Sequence, residues 1–381
     1  MSGLPVALLP FLGATPRKTA VILLSALCLV IAALAWNRLD SFSDNLKLWS
    51  DAAAKNHNEK LLGVERSYNN RGFAYLESGR LPEAQIDFKK AVALNPNYSD
   101  GYLNLGIVSF KQNRLEEALQ DYNKAIALKP DSSGAYLNRG TVFLQTGRPV
   151  EAWNDFNRAL LLSPWNAEAY VNRGLAYSRM GKPQDGLSDL DKAIELSPRL
   201  AQAYMNRGIV NTQLGRGRDA LEDMDSAARL DPENGAIYYN RANVHIILGR
   251  HQDALQDYNK AIGYNPNLAD AYVNRGGIYM VSGRLQDAIA EFDKAISLNP
   301  AQENAYINRA NIYAAQSRPQ DALNDYDKVL TLNSRNSQAL LNRGFILLVQ
   351  NREKEAMDSF QRSCDLGNRK GCENLRGKAA N

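Results

Sequence analysis

Residues 269–302 read ADAYVNRGGIYMVSGRLQDAIAEFDKAISLNPAQ, and the triplet Asn274-Arg275-Gly276 inside them sets the frame for the rest. The same asparagine stands at Asn70, Asn104, Asn138, Asn172, Asn206, Asn240, Asn308 and Asn342, always 34 residues from the next. Nine copies without a slip define nine repeats over residues 65–370, with the triplet's third residue at position 8. Position 4 is Tyr in the first eight (Tyr68 to Tyr306) and Leu340 in the ninth, while position 8 is only Gly or Ala. Four residues apart, knob and slot share one helical face. Position 20 is Ala apart from Gly186, and position 24 is large, as in Phe88, Tyr122, Phe156 and Phe292. Small residues let two helices approach, and the large one fills the groove beside them. Gly, Asn or Ser at position 15, followed by Arg or Lys as in Gly79-Arg80, predicts a left-handed cap ending the first helix. Proline at position 32, from Pro96 to Pro300 but not at Ser334 or Asn368, ends the second. Each repeat is then a helix-turn-helix pair that buries its faces only by stacking on neighbours.

This pattern, with Ala at position 27 besides, resembles the tetratricopeptide repeat family over about four-fifths of the chain. The resemblance implies an all-α, right-handed superhelical solenoid whose first helices line a concave groove. Ser109, Asn211, His245 and Leu347 at position 11, and Val329 and Ser363 at position 27, depart from the family pattern and put local packing in question. Arg at position 7 replaces the family's usual Leu in every repeat but the second, which has Leu105. An acid sits at position 23 in eight repeats, so the two columns predict an ion pair between helices, repeated along the stack.

The asparagine column at position 6 has no structural requirement derivable from the pattern. An amide offers two donors and an acceptor to the main chain of an extended peptide. The column looks like the asparagine ladder of the superhelix in the O-linked N-acetylglucosamine transferase and of armadillo-type importins, which implies a peptide-binding role for Asn70, Asn104, Asn138, Asn172, Asn206, Asn240, Asn274, Asn308 and Asn342. The competing reading is a hydrogen bond to a neighbouring helix. Position 5 is apolar after the first repeat, and Leu144, Leu175, Ile209, Ile246 and Met280 add apolar groove positions. Position 2 (Arg66, Asp100, Gly134, Glu168, Gln202, Ala236, Asp270, Asn304, Gln338) lacks the cationic clamp by which related repeats hold an acidic C-terminus. The expected occupant is an extended or amphipathic protein segment with apolar side chains; self-association is the main competitor.

Ahead of the repeats, Thr19 to Trp36 is an uncharged stretch between Arg17-Lys18 and Arg38, spanning roughly 27 Å as a helix. It reads as a transmembrane anchor over 19–36 or as a signal peptide cleaved after Ala33-Leu34-Ala35. Either way the cations before it place the repeats outside the cytoplasm, in a periplasm or lumen. The apolar tail 1–18, interrupted by prolines, is too short to span alone. Residues 37–64 hold Leu46, Leu48, Trp49 and Ala52 to Ala54, a linker and capping helix for the first repeat. Its entry is weakly similar to the junction in membrane glycosyltransferase-like proteins with C-terminal repeats of this kind.

The end, 371–381, is read as a cap. Cys364 and Cys372, eight apart across a turn, resemble the cysteine-bearing Sel1-like repeats, which implies a disulfide if the repeats are extracytoplasmic. Cys28 lies in the apolar segment and is a filler.

Apolar residues make up 45% and charged residues 23%, and 45 cations against 41 anions give no basic surface for nucleic acid. Three histidines, two of them His245 and His251 six apart, leave little for a metal. Gly215-Arg216-Gly217 follows no strand and is a turn, not a phosphate loop. No catalytic constellation or cofactor is expected. The sequence therefore reads as a non-catalytic, membrane-anchored scaffold that assembles or localises an envelope complex; the alternatives are an accessory subunit of a membrane glycosyltransferase-like enzyme, or a self-assembling structural protein.

Overall fold

A computed structural model describes residues 45–55 and 63–379. The anticipated membrane segment at 19–36 and the tail before it lie outside the described residues; among those described, no helix is long and apolar enough to cross a membrane. Twenty helices and no strand are seen in the described residues. The chain divides into two compact units between Ala176 and Tyr177, and each unit is a run of antiparallel helix pairs.

Each pair follows from its repeat. The first helix of repeat seven, Ala269–Val281, ends where Gly283 takes φ 75°, and Leu285–Leu298 returns beside it. Asn113, Ser317 and Asn351 take the same left-handed turn in repeats two, eight and nine, with φ 58–59°. The second helix stops at position 30 because position 31, as at Asn95 before Pro96, is extended. The helix Asn45–Lys55 packs on Val64–Glu77, burying Ala53.

The core repeats with the sequence. Where position 24 is aromatic and position 8 is glycine, the ring packs close against the glycine, so a Cβ added at Gly140 would sit 2.6 Å from Phe156 Cε1. Family departures are absorbed locally: Asn211 is buried and donates to Asp223 Oδ2 at 3.0 Å, and the Ser363 hydroxyl donates to the Ser337 carbonyl at 2.8 Å.

The Arg–acid columns form a lattice. Arg241 donates through Nε and Nη2 to the two oxygens of Asp257, at 2.7 and 2.6 Å, and through Nη1 to Asp225 of the preceding repeat at 2.7 Å. Its guanidinium also lies 5.3 Å from the Tyr238 ring centroid. Arg207 repeats the fork on Asp223 and Asp191, and Arg309 on Asp325 and Asp293. One cation thus ties three helices, two within its repeat and one in the repeat before.

Repeat two breaks the lattice. Leu105 brings no guanidinium, and burial, aided by nearby Glu117, pushes the Asp121 carboxyl up to about 6. Because the folded value exceeds the unfolded one, this group favours folding fully below the unfolded pKa of about 4, and the advantage is lost as pH rises through about 6. Asp121→Asn is expected to raise stability at pH 7 by on the order of 1 kcal/mol and to flatten the pH dependence between about 4 and 6, read by urea titration across that range.

Candidate groove and cleft

On a first helix, positions 2, 5, 6, 9, 12 and 13 fall within a 120° arc at 100° per residue, turned away from the residues that meet the second helix. Much of this face is consumed by packing. At position 5, Leu137, Val171, Met205 and Leu341 are buried rather than open to the groove, and Val273, though 7% exposed, lines the cleft described below. Leu144, expected in the groove, is likewise buried in a cluster with Leu137, Phe156 and Ala169, against which Leu175 packs. Ala169 and Ala176 of the next first helix belong to the same cluster and cover it. Ile209 is half-buried against the Met205–Met224 cluster.

The asparagine column is not a uniform row of free amides. Asn104 donates to Asn69 Oδ1 at 2.9 Å, Asn172 approaches Thr141 Oγ1 at 3.5 Å, Asn274 donates to Asn243 at 3.0 Å and Asn342 to Asn311 at 3.1 Å. Each of these four reaches the preceding repeat's first helix. Asn206 is buried and accepts from Gln202 at 3.1 Å; Asn240 turns back to the Ala236 carbonyl at 2.9 Å, and Asn70 accepts a 3.5 Å contact from Asn69. Only the side chains of Asn138 and Asn308 hydrogen-bond no described residue.

Asn308 lines a cleft of about 650 Å³ formed by three first helices, Gly235–Ile247, Ala269–Val281 and Glu303–Ala315, with His251 and Tyr258 of the second helix His251–Tyr264. Ile246 and Met280 line it, and so do Asn304 at position 2 and Ile247, Val281, Gly277 and Asn243, which the repeat pattern does not single out. No Asp, Glu, Lys or Arg lines it, and His251 is its one titratable nitrogen base.

The cleft arises from one omission. In repeat six, the Tyr258 hydroxyl donates to Asn243 Oδ1 at 2.6 Å, and that oxygen also receives Asn274 of the next repeat. Repeat eight builds the same node, with Tyr326 and Asn342 on Asn311. Repeat seven has Gly277 and Phe292 at the corresponding positions, so Asn308 finds no acceptor and the space where a side chain would stand is open. A Cβ built on Gly277 would meet nothing within 4 Å.

At the C-terminus, Cys364 and Cys372 are bonded, with Cα atoms 4.7 Å apart, and Leu375 of the helix Arg369–Ala379 packs against the cluster of Leu341 and Phe360. The bridge closes a short loop, so reduction is expected to cost about 2–3 kcal/mol, confined to the final helices, as faster amide exchange there in tris(2-carboxyethyl)phosphine. Among the described residues, no three or more His, Cys, Asp or Glu side chains are grouped to hold a metal ion.

A stack of helix pairs with an uncharged inner cleft defines a repeat solenoid of the kind that presents a binding surface. Models of the tetratricopeptide repeat match residues 65–98, 167–200, 235–268 and 303–336, a model described as TPR repeat matches 108–147 and 276–317, and a further tetratricopeptide repeat model matches 88–120. Together they cover more than half of the chain, which belongs to the tetratricopeptide repeat family. The Cut9–Hcn1 hetero-tetramer of APC/C superposes with a TM-score of 0.59 at 16% identity, covering 90% of this chain and 69% of that one. A tetratricopeptide repeat protein from Parabacteroides merdae gives 0.54 at 23%, over 65% of this chain and 98% of its own. Human IFIT1, a dimer with PPP-AAAA, gives 0.54 at 17%, over 80% and 73%. At these identities the likeness is one of fold. No curated protein matches the chain.

Proposed function

We propose that this chain is a non-catalytic scaffold that holds a segment of another protein in the groove of repeats six to nine. We further propose that residues 19–36 tether it to a membrane with the repeats outside the cytoplasm, where it assembles or localises an envelope complex. The observation that carries the groove reading is the cleft over Gly277, uncharged, walled by Ile246, Met280 and Val281, and edged by the unpaired amide of Asn308. Apolar walls supply affinity, and a single polar group without an internal partner supplies orientation.

Gly277 separates folding from binding. It lies inside a helix with open space beyond its Cα, so Gly277→Ala is expected to raise stability by about 0.5–1 kcal/mol, read by denaturant titration. Gly277→Leu is expected to keep the fold and fill the cleft. In cells, a photo-crosslinking residue at Val281, which is 78% exposed, should capture one discrete protein, and that capture should vanish with Gly277→Leu. Capture of nothing, of the chain itself alone, or capture indifferent to Gly277→Leu would remove the groove reading. Extraction of the full chain from membranes by carbonate would remove the tether.

A further inference from the structure

Building on that groove reading, we infer that the segment held by repeats six to nine is an amphipathic α-helix of about twenty residues, which lays an uncharged seam across the first helices and sets one side-chain amide, Asn or Gln, into the slot over Gly277.

The first argument is charge. On the inner-face positions of repeats one to four stand Arg66, Glu77, Asp100, Lys111, Glu168 and Arg179; on those of repeats six to nine, Asp270 is the one charged residue, and Gln302 donates to its Oδ1 at 2.5 Å. A seam that buries itself here without leaving an unpaired ion is itself uncharged.

The second is spacing. Position 13 is Glu77, Lys111, Gln145, Arg179 and Gln213 in repeats one to five, then Ile247, Val281, Ala315 and Val349. Ile247, Val281 and Val349 are 63%, 78% and 73% exposed, so the last four repeats carry an open apolar strip with one residue per repeat. The first helices of repeats seven and eight touch, and helices in contact lie about 8–10 Å apart, a step taken as about the same for the less closely packed pairs of repeats six with seven and eight with nine. A helix advances about 10.5 Å in seven residues and returns to nearly the same face, so a heptad seam meets one strip residue per repeat, and four repeats need about twenty residues.

The third is the main chain. An extended segment brings unpaired N–H and C=O groups at every residue, and the groove amides that would meet them each have an Nδ2 donor already engaged: Asn274 on Asn243, Asn342 on Asn311, Asn240 on its own helix. A helix satisfies its own main chain before it arrives. What stays unmet is Asn308, which lacks the acceptor that Asn243 gives Asn274 and Asn311 gives Asn342. An incoming amide oxygen over Gly277 rebuilds that node, and a single buried amide fixes the register of the seam.

The test titrates the full chain, by fluorescence anisotropy, with synthetic 21-residue peptides of Ala, Glu and Lys carrying Leu at positions 4, 8, 15 and 18 and Gln at position 11. Comparison peptides place Leu at position 11, or Pro at positions 9 and 13. The Gln peptide is expected to bind, the proline peptide to bind at least tenfold more weakly, and Gly277→Leu to weaken the Gln peptide at least tenfold. Asn308→Ala should weaken the Gln peptide about fivefold and leave the Leu peptide unchanged. The inference is overturned by proline and Gln peptides that bind alike, by no binding of the Gln peptide, or by indifference to either substitution. Dimerisation of the chain that Gly277→Leu abolishes would overturn it too, in favour of a second copy. These failures are distinct from failure of the groove reading: a captured partner mapped to a proline-interrupted or extended segment, still lost with Gly277→Leu, keeps the groove and discards the helix.

Discussion

Arg241→Ala is expected to lower the stability of repeats five to seven by about 3–5 kcal/mol, the usual cost of removing one partner from a buried ion pair. The Asp257 side chain is 4% exposed and receives both arms of the guanidinium, so Ala leaves a carboxylate with little water and only the His245 imidazole, 3.7 Å away, in place of a fixed cation; Asn or Gln at position 241 would restore only part of its hydrogen bonding. The contact with Asp225 is a lesser contribution, because that carboxylate is about half exposed. Solenoids unfold by repeats, so native-state hydrogen exchange over Ala201–Leu298 is the proper measurement, and faster exchange confined to distant repeats would not count. The double change Arg241→Met with Asp257→Leu should recover most of the loss, since the pair costs desolvation that an apolar pair does not. If Arg241→Ala left local exchange unaltered, the lattice would be an ornament of the sequence rather than a fastening between repeats.

Phe156→Ala carries a similar expected loss, about 3–5 kcal/mol in repeat three, from the lost ring and the cavity it leaves. Phe156 is fully buried and its ring occupies the space into which Gly140 would otherwise project a Cβ. That geometry supplies a rescue: Gly140→Leu, intolerable beside the ring, is expected to recover at least about 1 kcal/mol when added to Phe156→Ala, because it fills the vacated volume from the opposite helix. Thermal unfolding of the two variants side by side decides it; a double variant less stable than Phe156→Ala alone would show that the slot does not accept a side chain from this side.

The exposed features divide between what pattern reveals and what it hides. The glycine caps, the Arg–acid lattice and the Gly140–Phe156 type of contact all follow from residues at fixed positions, since helical periodicity alone decides which side chains face one another. Asp121 illustrates a reading available but incomplete: Leu105 is a visible exception, yet its consequence for the carboxyl needs the depth at which Asp121 lies. The asparagine column is the most conspicuous regularity of the inner face, and regularity makes it look like a row of equivalent donors. In three dimensions the nine amides differ, in part because of what the preceding repeat offers: Thr141, Asn243 and Asn311 at position 9 and Asn69 at position 5 accept, while Gly277 does not.

By itself, then, the sequence determined the all-helical repeat stack, its period, its turns and its fastening, because these depend on spacings within one repeat or between a repeat and the next. Only the tertiary structure decided which inner-face residues remain available: Leu144 and, at position 5, Leu137, Val171, Met205 and Leu341 are spent on packing, four of the nine asparagines reach the preceding repeat's first helix, and Gly277 leaves a cleft that Asn308 lines. Availability is a property of what neighbouring helices leave uncovered and unbonded, and no count along a single chain contains it.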